Sequence, residues 1–237
     1  MLPLDDAAPL DLLGLQVAAL FHHDRNGRIV SKNKPVYAPA PRLFLGRSTG
    51  GNLWRFRDDV PDDLIAALEP LLMREPISQD VAAVPTVQVE IVAALAQHQP
   101  IVEVYAGPAW RLPDGPPAPG RSALVTPGDA DALRSHFPTL AENLAVMSPC
   151  AAVVEGGAAV SVCFSARTSS AVAEAGLDTI PSARGRGHGP DAVAVWAAAV
   201  RAVGRLPLYS TSWDNAASRR VAEKLGAVQY AVDLSVY

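Results

Sequence analysis

The chain has 237 residues, 49% of them hydrophobic and 19% charged, with a formal net charge of −4. This balance excludes a disordered or solvating polymer and leaves room for one large domain or two of about 100–200 residues. With no excess of positive charge to release counterions from a phosphate backbone, binding to nucleic acid is disfavoured.

The first residues, Met-Leu-Pro-Leu-Asp-Asp, place no basic segment ahead of an apolar run. Neither a secretory signal nor a transit peptide is expected, and the expected address is cytoplasmic. Residues 17–21 and 28–31 flank Asp24-Arg25-Asn26-Gly27, and residues 43–47 and 53–57 flank Thr49-Gly50-Gly51-Asn52. Both patterns predict hairpins with glycine-bearing turns. Arg42, Arg47, Arg55 and Arg57 suit either an anionic group or a solvated pair of strands, and Asp58, Asp59, Asp62 and Asp63 directly after them favour the second. Helical spacing of Leu64, Ile65, Leu68, Leu71 and Leu72 predicts a helix over 62–73, and Val87, Ile91, Ala94 and Leu95 predict another over 86–97. The Pro/Gly-rich stretch 111–121 reads as an extended connector. It divides the chain into an α+β part, residues 1–120, and a second part, residues 121–237.

Beyond the connector, residues 123–125 form a short strand and Thr126-Pro127-Gly128-Asp129 opens a helix. Residues 140–147 are a second helix candidate. Apolar runs at 151–155 and 158–165 are joined by Gly156-Gly157, whose lack of side chains permits a tight hairpin. A strand over 172–179 leads through Ile180-Pro181 into a glycine cluster, and a helix from residue 190 to about 203 follows, with Pro190 near its first position. Residues 206–212 are strand-like, and Asp214 or Asn215 caps a helix ending at Gly226. In the last strand, 228–237, Val228, Tyr230, Val232, Leu234 and Val236 are expected on one face. The most apolar run, 192–200, is far shorter than the roughly 20 residues a bilayer requires, so no membrane span is expected. Cys150 and Cys163 are too few for a disulfide framework, and His22, His23, His98 and His136 lack metal-ligand spacing, so no metal is expected.

A strand that enters a glycine-rich turn and leaves as a helix gathers backbone N–H groups and the positive end of the helix dipole around one point, which attracts a phosphate. Here the turn is Arg184-Gly185-Arg186-Gly187-His188-Gly189. Gly185, Gly187 and Gly189 allow close approach, Arg184 and Arg186 supply charge, and His188 contributes through its N–H. A P-loop would need Lys and then Ser or Thr after the last glycine, where Pro190-Asp191 stand. A dinucleotide fingerprint would need glycine or alanine in place of Pro190. Both fit poorly.

Residues from about 123 to 237 resemble a GCN5-related N-acetyltransferase. Arg184-x-x-Gly187-x-Gly189 matches that family's pyrophosphate loop, Thr179-x-Pro181-x-x-Arg184 resembles the strand exit before it, and Val153 through Val162 resembles its hairpin. Asn215-x-x-Ser218 followed by Glu223-Lys224-Leu225-Gly226 resembles its second motif. The resemblance implies an α/β fold whose mixed sheet, flanked by helices, splays between its fourth and fifth strands, 172–179 and 206–212, with acetyl-CoA as acyl donor. It implies that backbone groups of Leu177, Asp178 and Thr179 meet the pantetheine, those of residues 185–189 the pyrophosphate, and that Asn215 and Ser218 approach the cofactor from the other side. Capping alone also explains Asn215.

The resemblance further implies direct attack of an amine on the thioester. Glu174, on the fourth strand, is the candidate base and shares its parity with Asp178, so both are placed at an acceptor cleft; the competing reading is a solvated strand face. The family's thiolate-protonating tyrosine stands four residues before the glycine of Glu-Lys-Leu-Gly, where this chain has Ala222. Tyr209, Ser218 and water are the substitutes. Residues 209–213, Tyr-Ser-Thr-Ser-Trp, border the splay, with core packing the favoured role for Tyr209 and Trp213. The expected activity is transfer of an acetyl group to a primary amine of a small molecule or peptide, with residues 1–120 shaping the acceptor site and a homodimer left open. A catalytically silent acyl-CoA-binding or sensing protein and a partner-binding scaffold are the alternatives.

Overall fold

The computed structural model describes residues 7–33, 39–77, 79–80, 82–115 and 120–237. Residues 1–6 and the centre of the Pro/Gly-rich connector, 116–119, lie outside the described residues. In chain order the elements are α1 (Pro9–Leu20), β1 (Phe21–His23), β2 (Ile29–Lys32), β3 (Leu43–Ser48), β4 (Gly51–Phe56), α2 (Asp62–Arg74), α3 (Gln88–His98) and β5 (Val104–Arg111). They continue as β6 (Ser122–Leu124), α4 (Ala130–Arg134), α5 (Pro138–Glu142), β7 (Cys150–Glu155), β8 (Ala158–Thr168), β9 (Val172–Thr179), α6 (His188–Ala202), β10 (Leu206–Ser210), α7 (Ala216–Lys224) and β11 (Val228–Val236).

Nine strands form one sheet in the order β4-β3-β11-β5-β10-β9-β8-β7-β6, beside a separate β1-β2 hairpin. Only β9 and β10 run parallel; the other neighbours in the large sheet are antiparallel. The expected class, a mixed sheet flanked by helices, is what the chain adopts. Strands from both sides of residue 120 interleave, because β5 lies between β10 and β11. One face carries α1, whose Leu12, Leu13 and Val17 pack with Leu206, Leu208 and Ala231. The opposite face carries α6, where Trp196 and Val200 pack with Ala173 and Tyr209, and also α2 and α3 against Leu43, Leu45, Leu234 and Val236. Trp196 is fully buried, and its indole donates to Ser165 Oγ at 3.1 Å, so its one polar atom is satisfied.

Several expectations are corrected. Residues 17–20 are the end of α1 rather than a strand: Leu12, Leu13, Gln16, Val17 and Leu20 recur at helical spacing and are all buried, and Pro9 opens the first turn. Helix α6 begins at His188, so Pro190 is its third residue. The helix foreseen over 140–147 is only Pro138–Glu142. In β11 a register shift between Gln229 and Ala231 breaks the alternation, so Tyr230 packs with Ala231 under α1 while Leu234 and Val236 face α2 and α3.

Gly107 of β5 permits a close crossing. A Cβ there would overlap the Thr211 carbonyl where the chain leaving β10 runs over β5. Gly107→Ala is expected to destabilise the fold by about 1–3 kcal/mol, because backbone must shift to admit the methyl group; urea unfolding with an unchanged midpoint would contradict this.

Candidate functional site

Strands β9 and β10 pair only through Leu206↔Val172, Pro207↔Ala173 and Leu208↔Glu174. After Leu208 the chain stays with β5 instead. Tyr209 and Ser210 lie opposite Trp110 and Ala109, and beyond them Thr211 N–H donates to the Pro108 carbonyl at 3.3 Å and Trp213 N–H to the Ala106 carbonyl at 3.0 Å. The β10-facing edge of residues 175–179 is therefore left open, at the carboxyl ends of the two parallel strands, where α/β folds bind ligands.

A cleft of about 610 Å³ follows that edge. Leu177, Asp178, Thr179, Arg184, Gly185, Gly187, His188 and Gly189 wall one side, and Asn215, Ser218, Arg220 and Lys224 the other. Gly185 and Gly187 have φ of +78° and +86°, which side chains adopt only with strain, and Gly187 is the N-cap of α6. Among the described residues, the N–H groups of residues 185–189 have no hydrogen-bond acceptor. With the N-terminus of the fifteen-residue α6 behind them they make a cradle of donors whose chemistry suits an anion. Gly189 has ordinary backbone geometry, and a Cβ there would make normal contacts of 3.5–3.6 Å with Leu177 and Val221.

The two loop arginines differ. Arg184 lines the cleft and donates from Nε to the Thr179 carbonyl at 3.1 Å. Arg186 turns to Glu155, at 3.3 Å, and to the Ser182 carbonyl, at 2.9 Å, so it is engaged away from the cradle where the sequence reading put its charge. The His188 ring is buried with Nε2 3.2 Å from Glu155 Oε1, a contact whose direction is poor for a hydrogen bond. Asn215 Oδ1 accepts from Ser218 N–H at 3.0 Å, and Asn215 also lines the cleft, so capping and lining coexist.

Glu174 is not on a solvated face. It is 1% exposed on the α1 side of the sheet, and its Oε2 accepts from Ser210 Oγ at 3.1 Å. Burial is the largest cause of a pKa raised from 4.5 to about 7, opposed by nearby Arg167 and by hydrogen bonds from Ser210 and Gln16. Gln16 of α1 also donates from Nε2 to Asp233 Oδ2 at 2.9 Å, linking two buried carboxyl groups. Asp233 is likewise raised, by burial first and then by the charge of Glu174. Asp178 does not join them; it is exposed in the first cleft. A second cleft, of about 250 Å³ and bordered by Ala175, Ser210 and Asp233, opens beside this group. Ala175 and Ser210 lie just beyond the last β9–β10 pair, so the second cleft, like the first, borders the splay.

On the α6 side, the Tyr209 hydroxyl lies 2.6 Å from Ser218 Oγ. Burial pushes the Tyr209 pKa up to about 12, against the Ser218 hydrogen bond, so the phenol keeps its proton at neutral pH. Ser218 lines the first cleft and Tyr209 stands behind it, beside Trp110 and the buried Ala222.

No protein-family model and no curated protein sequence matches the chain. Solved structures do. A GCN5-related N-acetyltransferase-like protein from Streptococcus suis superposes with a TM-score of 0.50 at 16% identity, over 84% of this chain and 85% of that one. The chain has the GCN5-related N-acetyltransferase fold. A GNAT-family protein from Novosphingobium aromaticivorans aligns at 18% identity and TM-score 0.45 over 57% of this chain and 65% of its own length, just under two thirds. An acetyltransferase of the GNAT family from Colwellia psychrerythraea aligns at 10% identity and TM-score 0.45 over 78% and 76% of the two chains.

Within this fold the sequence reading missed Arg220 and Lys224, which bring positive charge to the first cleft. Their signal was present: Ala217, Arg220, Val221 and Lys224 recur at helical spacing on one face of α7. Gln16 and Asp233 were also missed, since a lone carboxylate in a strand carries no spacing signal and Gln16 lay in an unforeseen helix; Ser210 was placed at the splay but not linked to Glu174. Among the described residues no helix is long and apolar enough to cross a membrane, and no three His, Cys, Asp or Glu side chains gather as a metal site.

Proposed function

We propose that the protein transfers an acetyl group from acetyl-CoA to a primary amine of a small molecule or peptide. One observation carries this reading: a cleft walled by the glycine turn at the N-terminus of α6 and a cleft beside a buried carboxyl group with a pKa of about 7 both border the region where β9 and β10 part. The diphosphate lies on the N–H groups of residues 185–189, with Arg184, Arg220 and Lys224 adding charge, and the pantetheine follows Leu177, Asp178 and Thr179. The amine enters from the second cleft. Its nitrogen attacks the thioester carbonyl carbon, unpaired backbone N–H groups of β9 support the oxyanion, and the C–S bond then breaks. The proton lost from nitrogen passes to Glu174 through the Ser210 hydroxyl, while the departing thiolate takes one from the Tyr209–Ser218 pair.

An acetyl-CoA turnover screen over an amine library, read by CoA release and product mass, tests this. Acetylated amine is the expected product; binding of acetyl-CoA without transfer to any amine would favour a silent acyl-CoA-binding protein. For the proton donor, Tyr209→Phe is expected to lower kcat with acetyl-CoA affinity nearly intact, since the ring still packs, and Ser218→Ala to do less. Unchanged kcat in both variants and in their combination, in a reaction limited by chemistry, would remove the pair from the mechanism.

A further inference from the structure

The second cleft is lined by basic groups, Arg167 and Lys32, and by the carboxyl groups of Asp233 and Glu103. Arg167, Glu174, Ser210, Tyr105 and Asp233 come from five adjacent strands, β8, β9, β10, β5 and β11, and share the sheet face under α1. Arg167 sits directly opposite Glu174 across β8–β9, next to a register shift. Its Nε is buried without a hydrogen-bond partner, and among the described residues Arg167 makes no ion pair. Lys32 of β2 lines the same cleft, with its ammonium 4.4 Å from the centre of the Tyr237 ring. Burial, and then the charge of Arg167, lower the Lys32 pKa, so two cations crowd together. At the other end, Asp233 is 4% exposed; its Oδ2 is held by Gln16, and its Oδ1 is buried with no partner. Arg167 and Asp233 are on strands four steps apart and cannot pair with each other.

Arg167 offsets part of the Glu174 charge and Glu103 part of that of Lys32, but the buried Arg167 Nε and Asp233 Oδ1 are left without hydrogen-bond partners, and a ligand with an acceptor at one end and a donor at the other satisfies both. A simple anion would meet Asp233 and the rim carboxylate Glu103. A polyamine would meet Lys32 and Arg167. At about 250 Å³ the cleft is below the ~300–1,000 Å³ typical of drug-sized ligands. We propose that the acceptor is a small amino acid, or another amine with a carboxylate a few bonds away, its carboxylate held by Arg167 and Lys32 and its amino group between Ser210 and Asp233. This rests on the acetyl transfer proposed above and names its substrate class.

The test compares small amino acids with their carboxamides, which keep the amine and lose the negative charge. With acetyl-CoA saturating, kcat/KM is expected to favour the acid by about ten- to a hundredfold, as a charge-assisted contact gives. Arg167→Gln is expected to level that preference mainly through KM, and Lys32→Gln to reduce it should the first variant fail to fold. Amides acetylated as well as acids, or a preference that survives in folded Arg167→Gln, would overturn the substrate class and leave acetyl transfer standing. If no amine is acetylated, calorimetry with the amino acids alone decides. Binding lost in a folded Arg167→Gln or Lys32→Gln variant supports the site, and no binding to the wild-type protein overturns it.

Discussion

Gly187→Glu is expected to abolish acetyl-CoA binding while leaving a folded protein. Gly187 has φ of +86° at the N-cap of α6, with open space where a Cβ would go. The substitution therefore meets no clash, and its backbone cost is about 1–2 kcal/mol, within what a domain of this size tolerates. The carboxylate would stand in the cradle formed by residues 185–189, where it repels the diphosphate and competes for the same N–H groups. Calorimetric titration of acetyl-CoA, with circular dichroism to verify folding, reads the result. A folded variant with unchanged affinity would show that the diphosphate binds elsewhere.

Glu174→Gln is expected to lower kcat by roughly 10²–10⁴ with little change in acetyl-CoA affinity, the loss typical of a removed general base. The pH profile adds a second readout. The ionised form accepts the proton, so wild-type activity should rise as pH passes through about 7, and that inflection should vanish in the variant. Stability should move the other way. Glu174 has a folded-state pKa raised from 4.5 to about 7, so between these values the folded protein holds more protons than the unfolded chain, and stability falls as pH rises through that window. A neutral amide loses this penalty, and Glu174→Gln should be relatively more stable at pH 8 than at pH 5 when each is compared with wild type. Wild-type rates and an unchanged profile would reduce Glu174 to a structural group.

How legible these features were in the sequence depended on whether they follow a local pattern. The hairpin around Gly156-Gly157, the strand into the glycine turn and the Asn215-capped helix each obey short-range rules, and β7, β8, β9 and α7 appear close to where those rules put them. Strand β5 was missed because Gly107 and Pro108 interrupt it. Both residues argue against a central strand, yet Gly107 is what lets the chain after β10 cross so closely. The partners of Glu174 were hidden for a different reason. Gln16, Arg167, Ser210 and Asp233 are far apart in the chain and meet only because β5 and β11 enter the same sheet as β8, β9 and β10. Parity placed Asp178 beside Glu174, but four residues along β9 carry it about 13 Å further, to where it is exposed in the other cleft. Tyr209 and Ser218 were separate candidates for one role, and β10 and α7 bring their hydroxyls to 2.6 Å.

On the proposed mechanism the acetyl thioester lies in the gap between β9 and β10, reached by the donor from one cleft and by the amine from the other. A crystal structure of the Glu174→Gln variant with acetyl-CoA tests it most directly, since slowed turnover preserves the thioester. The diphosphate is expected on the N–H groups of residues 185–189 and the acetyl group beside Ala175 and Ser210, facing the second cleft. Acetyl-CoA bound with its thioester outside that gap, or its diphosphate away from the glycine turn, would contradict it.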